Sequence, residues 1–523
     1  MKLKTSRLIA AFAVSTALSG AAWAETELTA MMHSGLRVLD PVITTAHITR
    51  NHAYMIYDVL IAQDSEFQPQ PQMAEWEISD DGLVYTFTLR EGLLFHDGEP
   101  VTAADAVASL NRWAEKDSGG QIIAGLTESL EATDDRTITW TLSEPFAPML
   151  DVLSKQSALP PFIMPARVAE GSTDSAITEY IGSGPFRFVE SEFDPGVSVT
   201  YEKFEDYVPR DEPADGMAGG KVVHLDRVVW VTMPDIMTAV NALAGGEIDY
   251  IEQVQIDLIP ILETEGVIVE TREPLGYQTM VRPNFLHPPF DNQQIRQAAL
   301  KAIGQEGVLT AMIGNPEYFD LCGAVLGCGT PLGSETGTES LTTGGAPDEA
   351  RALLDEAGYD GTPVVLLHPT DVVSLNTQPV VVAQQLRDAG FTVDLQPMDW
   401  QTVVTRRASQ NPPANGGWNM FITNWMVPEI NSPLGNVMLN GRGDDGWFGW
   451  PEDQVMEDLK QEFIAQEDED GRREVAERVQ EHVIDNVLMI PMGQYTLPQG
   501  RRDTITDMLP TPVPVFWNVQ KSD

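Results

Sequence analysis

"FHDGEPVTAADAVASLNRW" (Phe95–Trp113) passes from the end of one periodic pattern into the start of another. Upstream, "VYTFTLREG" (Val84–Gly92) alternates apolar and polar residues and stops at glycine, which predicts a half-buried strand. "HDGEP" combines Asp-Gly with Pro and predicts a turn. Thr102 then precedes "AAD", with Asp105 three positions on. This is a capping-box pattern with Asp in the usual Glu or Gln place, and a carboxylate there also suits the positive helix end. Val107, Leu110 and Trp113 fall on one helix face. His96–Asp97 could serve as an acid–base pair, but no nucleophile accompanies it, so the pair reads as punctuation between strand and helix.

The same grammar recurs on either side. "AVNALAGGEIDYIEQ" reads as helix, glycine stop, strand. "PFDNQQIRQAALKAIG" has Asp291 and Gln294 at capping-box spacing and ends at Gly304. "PDEARALLDEAGYDG" is a helix ended by Gly358. "QPVVVAQQLRDAGFTVDLQPMDW" is helix, Gly390, strand. "VMEDLKQEFIAQ" and "REVAERVQEHVIDN" are amphipathic helices, and "VLMIPMGQ" is a buried strand. Strands alternate with helices throughout, so the fold class is α/β. The chain shows no repeat of fixed period and no low-complexity linker.

The 523 residues suffice for two or three domains. "MKLKTSR", then "LIAAFAVSTALSGA", then "AWA" (Ala22–Ala24), has the order of a cleavable export leader over residues 1–24, too short in its apolar part to span a membrane. No cysteine follows the cleavage site, so no lipid anchor is expected, and the mature chain begins near Glu25 in the periplasm. The formal charge is −46, from 78 acidic and 32 basic residues. Removing Lys2, Lys4 and Arg7 with the leader takes it to about −49. Such a surface repels nucleic acid and anionic lipid. The two cysteines, Cys322 and Cys328, lie six apart in "DLCGAVLGCGTP". An oxidising compartment favours a disulfide, whereas two sulfurs without a nearby histidine would leave zinc half-ligated.

Motifs for chemistry are weak. "GRGDDG" (Gly441–Gly446) fits G-x-G-x-x-G literally, but Asp444 and Asp445 would repel phosphate and "WFGWP" follows in place of a helix. "QEDEDGRREVAE" (Gln466–Glu477) puts Asp468, Asp470, Gly471 and Glu477 at calcium-loop positions, with the neutral Gln466 first; an acidic turn between surface helices accounts for it as well. The eight histidines form no H-E-x-x-H, and neither G-x-S-x-G nor a P-loop occurs. No metal or cofactor is expected. The informative feature is aromatic. Trp418, Trp425, Trp447 and Trp450 sit in Gly-, Pro- and Asn-rich surroundings that suit a binding cleft as well as a core.

With these stretches, "LDP" (Leu39–Pro41), "YDVL" (Tyr57–Leu60), the block from Met73 to Trp113, "IGSGPFRFVE" (Ile181–Glu190), "LAGGEIDY" (Leu243–Tyr250), "NFLHPPFDNQQIRQAALKAI" (Asn284–Ile303) and "ARALLDEAGY" (Arg351–Tyr359), the chain resembles the family 5 extracellular solute-binding proteins. These are the dipeptide-, oligopeptide- and nickel-type receptors of ABC importers. The resemblance implies a bilobal α/β periplasmic binding protein with a third domain and with ligand held between lobes. One lobe would comprise residues 25–52, 181–273 and 490–523, the inserted domain 53–180, and the other lobe 274–489. It implies a small-molecule or peptide ligand, permease subunits at the inner membrane as partners, no enzyme activity and no nucleic acid. A monomer is expected. An exported hydrolase and a chaperone-like peptide binder are the alternatives.

The resemblance also suggests site residues. Dipeptide receptors of the family hold the peptide amine with an aspartate after a tryptophan. Here Trp425 is present, Pro428 occupies the aligned place, and Glu429 is adjacent. Their carboxylate-binding arginine aligns near His368–Pro369; Arg282 is a substitute source of positive charge. Thr44 and Thr45 match a Thr/Ser stretch facing ligand, and Trp418 and Trp447 complete the candidates. Peptides, opine-like conjugates and sugar derivatives all stay open as ligands. Thiol labelling of the denatured, non-reduced protein is expected to find no reactive thiol; two labelled cysteines would dispose of the bridge.

Overall fold

A computed structural model describes residues 26–171, 173–263, 266–466 and 468–522. The expected leader at residues 1–24 lies outside the described residues. Two mixed sheets form the body. In the seven-stranded sheet, Glu27–Met31 pairs in parallel with both Arg227–Val231 and Tyr250–Ile251. Its alternation buries Leu28 and Ala30. Antiparallel strands Ser198–Lys203 and Phe186–Phe188 extend one edge, and Gln499–Arg502 and Val267–Glu270 the other.

In the six-stranded sheet, Tyr277–Pro283 lies antiparallel between Met420–Met426 and Ile490–Tyr495. All seven of its residues are buried, so this strand is covered on both faces. Val364–Pro369 runs parallel to Val393–Met398 at one edge. The placement of Ile490–Tyr495 differs from the expected boundary, which assigned residue 490 onward to the first lobe. This strand belongs to the second sheet, and the chain regains the first only at Gln499. The reason is the unbroken apolar run from Val487 to Met492, which suits the doubly covered position. The sheets are therefore joined by two crossings, Arg272–Gly276 and Thr496–Pro498.

Between Met31 and Phe186 the chain builds a separate four-stranded antiparallel sheet, in the order Ala74–Ile78, Val84–Leu89, Thr137–Leu142, Thr127–Ala132. Helix Ala103–Ala114 packs on it and buries Leu110 and Trp113. The Asp105 carboxylate accepts from the Thr102 backbone N–H at 2.9 Å, as the capping pattern predicts. His96 lies in the turn and interacts with the Gly184 carbonyl at 3.1 Å. Burial pulls its pKa down to about 4. Asp97 pairs with Arg167 at 2.8 Å. The two neighbours thus face different partners, and both are structural. The segment His96 meets, "GSGPF", must run against the end of helix His47–Ile56. A Cβ on Gly182 would lie 1.8 Å from the Ile56 carbonyl oxygen, which only glycine avoids.

The second capping pattern shifts by one residue. Helix Gln293–Ala302 is capped by Asn292, whose side chain accepts from Gln294 N at 2.9 Å, rather than by Asp291. Either residue type caps well, and Asn292 stands where its oxygen reaches the first turn. In the calcium-like segment, Asp468 caps helix Glu469–Asn486 through Gly471 N at 2.7 Å, and Asp470 pairs with Arg473. Its acidic residues are spread along a helix rather than gathered around a point. Cys322 and Cys328 are joined as a disulfide.

Two buried ion pairs tie the inserted segment to the first sheet's flank. Arg112 donates to Asp40 at 2.7 Å, and Asp40 also accepts from Val42 N and Ile177 N. Lys221 donates to Asp58 at 2.7 Å, with Tyr207 donating to the other carboxylate oxygen. "LDP" and "YDVL" are thus the anchor points of the inserted domain. Replacing Asp40 with Ala strands a buried guanidinium, and urea melts are expected to show a loss of about 3 kcal/mol or more.

Candidate functional site

A small cavity of about 40 Å³ lies between the two sheets. His33, Thr45, His47 and Gln253 line it from the first side, and Trp400, Arg407, Asn424 and Trp425 from the second. Trp425 ends strand Met420–Met426 on the second sheet. It is almost fully buried, its Nε1 has no acceptor, and its ring meets His47 edge-on at 5.2 Å. The strand gives way at once to the short helix Val427–Ile430, which carries Glu429.

Glu429 sits behind the cavity wall. Arg50 donates to one of its oxygens; the other accepts from Met426 N at 3.2 Å and lies 3.3 Å from His47 Nε2. Burial alone would raise the Glu429 pKa, but Arg50 and His47 overcome this and hold it down to about 2. Burial lowers the His47 pKa against the pull of Glu429, so the permanent charge opposite Glu429 is that of Arg50. On the far side of Glu429 opens a larger crevice of about 390 Å³, between the inserted segment and the second sheet's loops.

Arg407 is the residue that sequence reading missed. It ends helix Trp400–Arg407, whose buried face is Trp400, Val403, Val404 and Arg407. That spacing places a cation on an apolar stripe, which is the signal that could have revealed it. The guanidinium lies 5.0 Å from the Phe448 ring, 5.3 Å from Trp400 and 6.0 Å from Trp447. Its polar contact is a long 3.4 Å approach to Thr45 Oγ1, and its Nε has no acceptor. No carboxylate pairs with it among the described residues. Burial pulls its pKa down to about 9, leaving it cationic at neutral pH.

The other candidates divide. Thr45 lines the cavity, accepts from Trp447 Nε1 at 3.1 Å and faces Arg407; Trp447 stands behind the lining through this contact. Thr44 instead closes a local turn by accepting from Ala46 N. Trp418 is core: its Nε1 donates to the Arg407 carbonyl at 3.1 Å, fixing the end of that helix. Arg282 is buried and donates to the carbonyls of Phe448, Met438 and Leu488 at 2.7–2.8 Å. It braces three loops and does not line the cavity. His368 ties its strand to the Asn376 carbonyl at 2.7 Å and so braces the loop that brings Val372, Ser374 and Leu375 to the cavity.

Glu429 carries a pH signature. Its pKa falls from 4.5 to about 2 on folding, so its contribution to stability is complete above about 4.5 and is lost as pH falls towards 2. Glu429→Gln is expected to be less stable near neutral pH, and to lose less than the parent on acidification to about pH 3. Urea melts at the two pH values measure this; equal acid losses in both proteins would contradict it.

Residues 68–446 match the model of the bacterial extracellular solute-binding proteins, family 5. The chain is 40% identical over 496 residues to a probable peptide ABC transporter periplasmic-binding protein of Sinorhizobium fredii, covering 94% of this chain and 93% of the relative. It is 25% identical over 406 residues to the glutathione-binding protein GsiB of Pectobacterium atrosepticum, covering 76% and 74%. Among solved structures, the fold matches DppA of Helicobacter pylori in complex with a peptide (TM-score 0.79, 20% identity, 95% and 98% covered). It also matches AgaA of A. tumefaciens R10 in complex with agropinic acid (TM-score 0.78, 22% identity, 95% and 99% covered). The two-sheet architecture and the extent of these matches agree: the chain belongs to the family 5 bacterial extracellular solute-binding proteins.

Proposed function

We propose that this protein is the periplasmic receptor of an ABC importer, that it captures a peptide or peptide-like solute between its two lobes, and that Arg407 holds a carboxylate of that solute. The single observation that carries the ligand reading is the buried, carboxylate-free guanidinium of Arg407 in the wall of the interlobe cavity. A buried cation without a counter-ion is costly, and an anionic ligand relieves that cost on closure. Trp425 and Trp447 add rigid apolar cover at little entropic cost. The name of the Sinorhizobium relative and the peptide complex of the Helicobacter relative support a peptide-like solute.

The lobes would be built on the two large sheets and would hinge at Arg272–Gly276 and Thr496–Pro498. Contacts formed only on closure bias the equilibrium towards the closed state, which is what a membrane permease would read. A receptor fits better than a hydrolase. Carboxylates pair with the cleft histidines, His33 with Glu252 at 2.8 Å and His47 with Glu429, but among the described residues neither ring is hydrogen-bonded to a Ser, Thr or Cys side chain that could act as nucleophile. The protein would act as a monomer, with no cofactor.

The reading is tested by calorimetry with the solute that copurifies with the protein, identified by mass spectrometry. Arg407→Met is expected to weaken binding by about 3 kcal/mol, and Trp425→Ala by about 2 kcal/mol, with circular dichroism unchanged. Undiminished affinity in Arg407→Met would remove the carboxylate anchor from this site.

A further inference from the structure

We propose that Arg50 determines specificity by keeping ligand ammonium groups away from Glu429, so that this receptor takes solutes bearing a carboxylate but no free ammonium at that end. The inference rests on the function proposed above and narrows its ligand class.

A carboxylate beside a binding cleft is the natural partner for a ligand cation. In this chain both Glu429 oxygens are already occupied. One is held by Arg50; the other takes the Met426 N–H and faces His47. Arg50 is itself locked in place. Its Nε and Nη2 donate to Asn51 Oδ1 at 3.2 and 3.0 Å, and its Nη1 also reaches Ser157 Oγ at 3.2 Å. It is 4% exposed. Glu429 carries one negative charge that Arg50 already balances, so a ligand ammonium drawing on Glu429 would leave one of two buried cations without a counter-charge. An ammonium held in the cavity beside an intact pair would instead be desolvated with no carboxylate among the described lining residues to receive it.

The charge along the cavity wall points the same way. Arg407 is the one Lys, Arg, Asp or Glu side chain among the described residues that line the cavity. The complementary ligand is therefore anionic at the Arg407 end. It is neutral where it approaches the Arg50–Glu429 pair; the crevice beyond carries side chains of both signs, Asp151 and Glu469 beside Lys155, Arg472 and Arg473. N-acylated peptides and amino acids, and peptides whose amine is closed into a lactam while a carboxylate stays free, have that pattern. An ordinary zwitterionic dipeptide does not.

The test uses a panel of dipeptides beginning with Ala, Leu and Glu, each beside its N-acetyl derivative, titrated into the full-length mature protein by calorimetry. The parent protein is expected to favour acetylated members by about tenfold or more, and Arg50→Met to favour free amines by a similar factor. Because Arg50→Met leaves Glu429 unpaired, circular dichroism is read alongside. The double variant R50M/E429Q buries neither charge and is expected to bind both forms alike. Free amines binding the parent as tightly as their acetylated partners would overturn the proposal. So would a folded Arg50→Met that gains no affinity for free amines. Arg407→Met separates this inference from the one beneath it. Loss of both forms together, with their ratio kept, supports the anion anchor; full retention of affinity refutes that anchor while the amine ratio still judges Arg50.

Discussion

The Arg50–Glu429 ion pair joins side chains 379 positions apart in sequence and closes the two halves of the molecule on each other. Two charges removed from water must meet each other or pay the full cost of burial, so the pair dictates how helix His47–Ile56 faces helix Val427–Ile430. The cleft follows from that contact. His47, one turn before Arg50, meets Trp425, and Thr45 lies against Trp447 and Arg407. The cavity is thus built around an electrostatic contact internal to the protein.

Two buried arginines show how the same group serves opposite ends. Arg282 meets three backbone carbonyls and knits together three loops. Arg407, with a similar burial, meets aromatic faces and one distant hydroxyl. The first spends its Nε and Nη1 donors on backbone carbonyls and is a brace. The second has an unpartnered Nε and no carboxylate beside it among the described residues. Burial and residue type do not separate the two roles; the inventory of acceptors around each guanidinium does.

The inserted four-stranded sheet is fastened by the same rule. Asp40 and Asp58 are each surrounded by a cation and further N–H or O–H donors. These clusters fix the inserted segment to the first sheet's flank and leave the two crossings as the covalent links between the large sheets. The strongly acidic surface lies outside this network and bears on solubility rather than on recognition.

Local patterns determined much of the fold. The alternation of Val84–Leu89, the Thr102–Asp105 cap, the glycine stop at Gly358 and the doubly buried run before Ile490 each follow from short-range sterics, hydrogen bonding and periodicity, and each was legible in the sequence. The aromatic richness of the stretch around Trp425 was legible as well. Only the tertiary structure decided which charges serve the site. Arg282, a substitute source of positive charge in the sequence, is consumed by carbonyls; Glu429 is held by Arg50; Arg407, which sequence reading passed over, has no counter-ion among the described residues. The physical reason is that periodicity reports which face of an element is buried, whereas the fate of a buried charge depends on partners brought from hundreds of residues away.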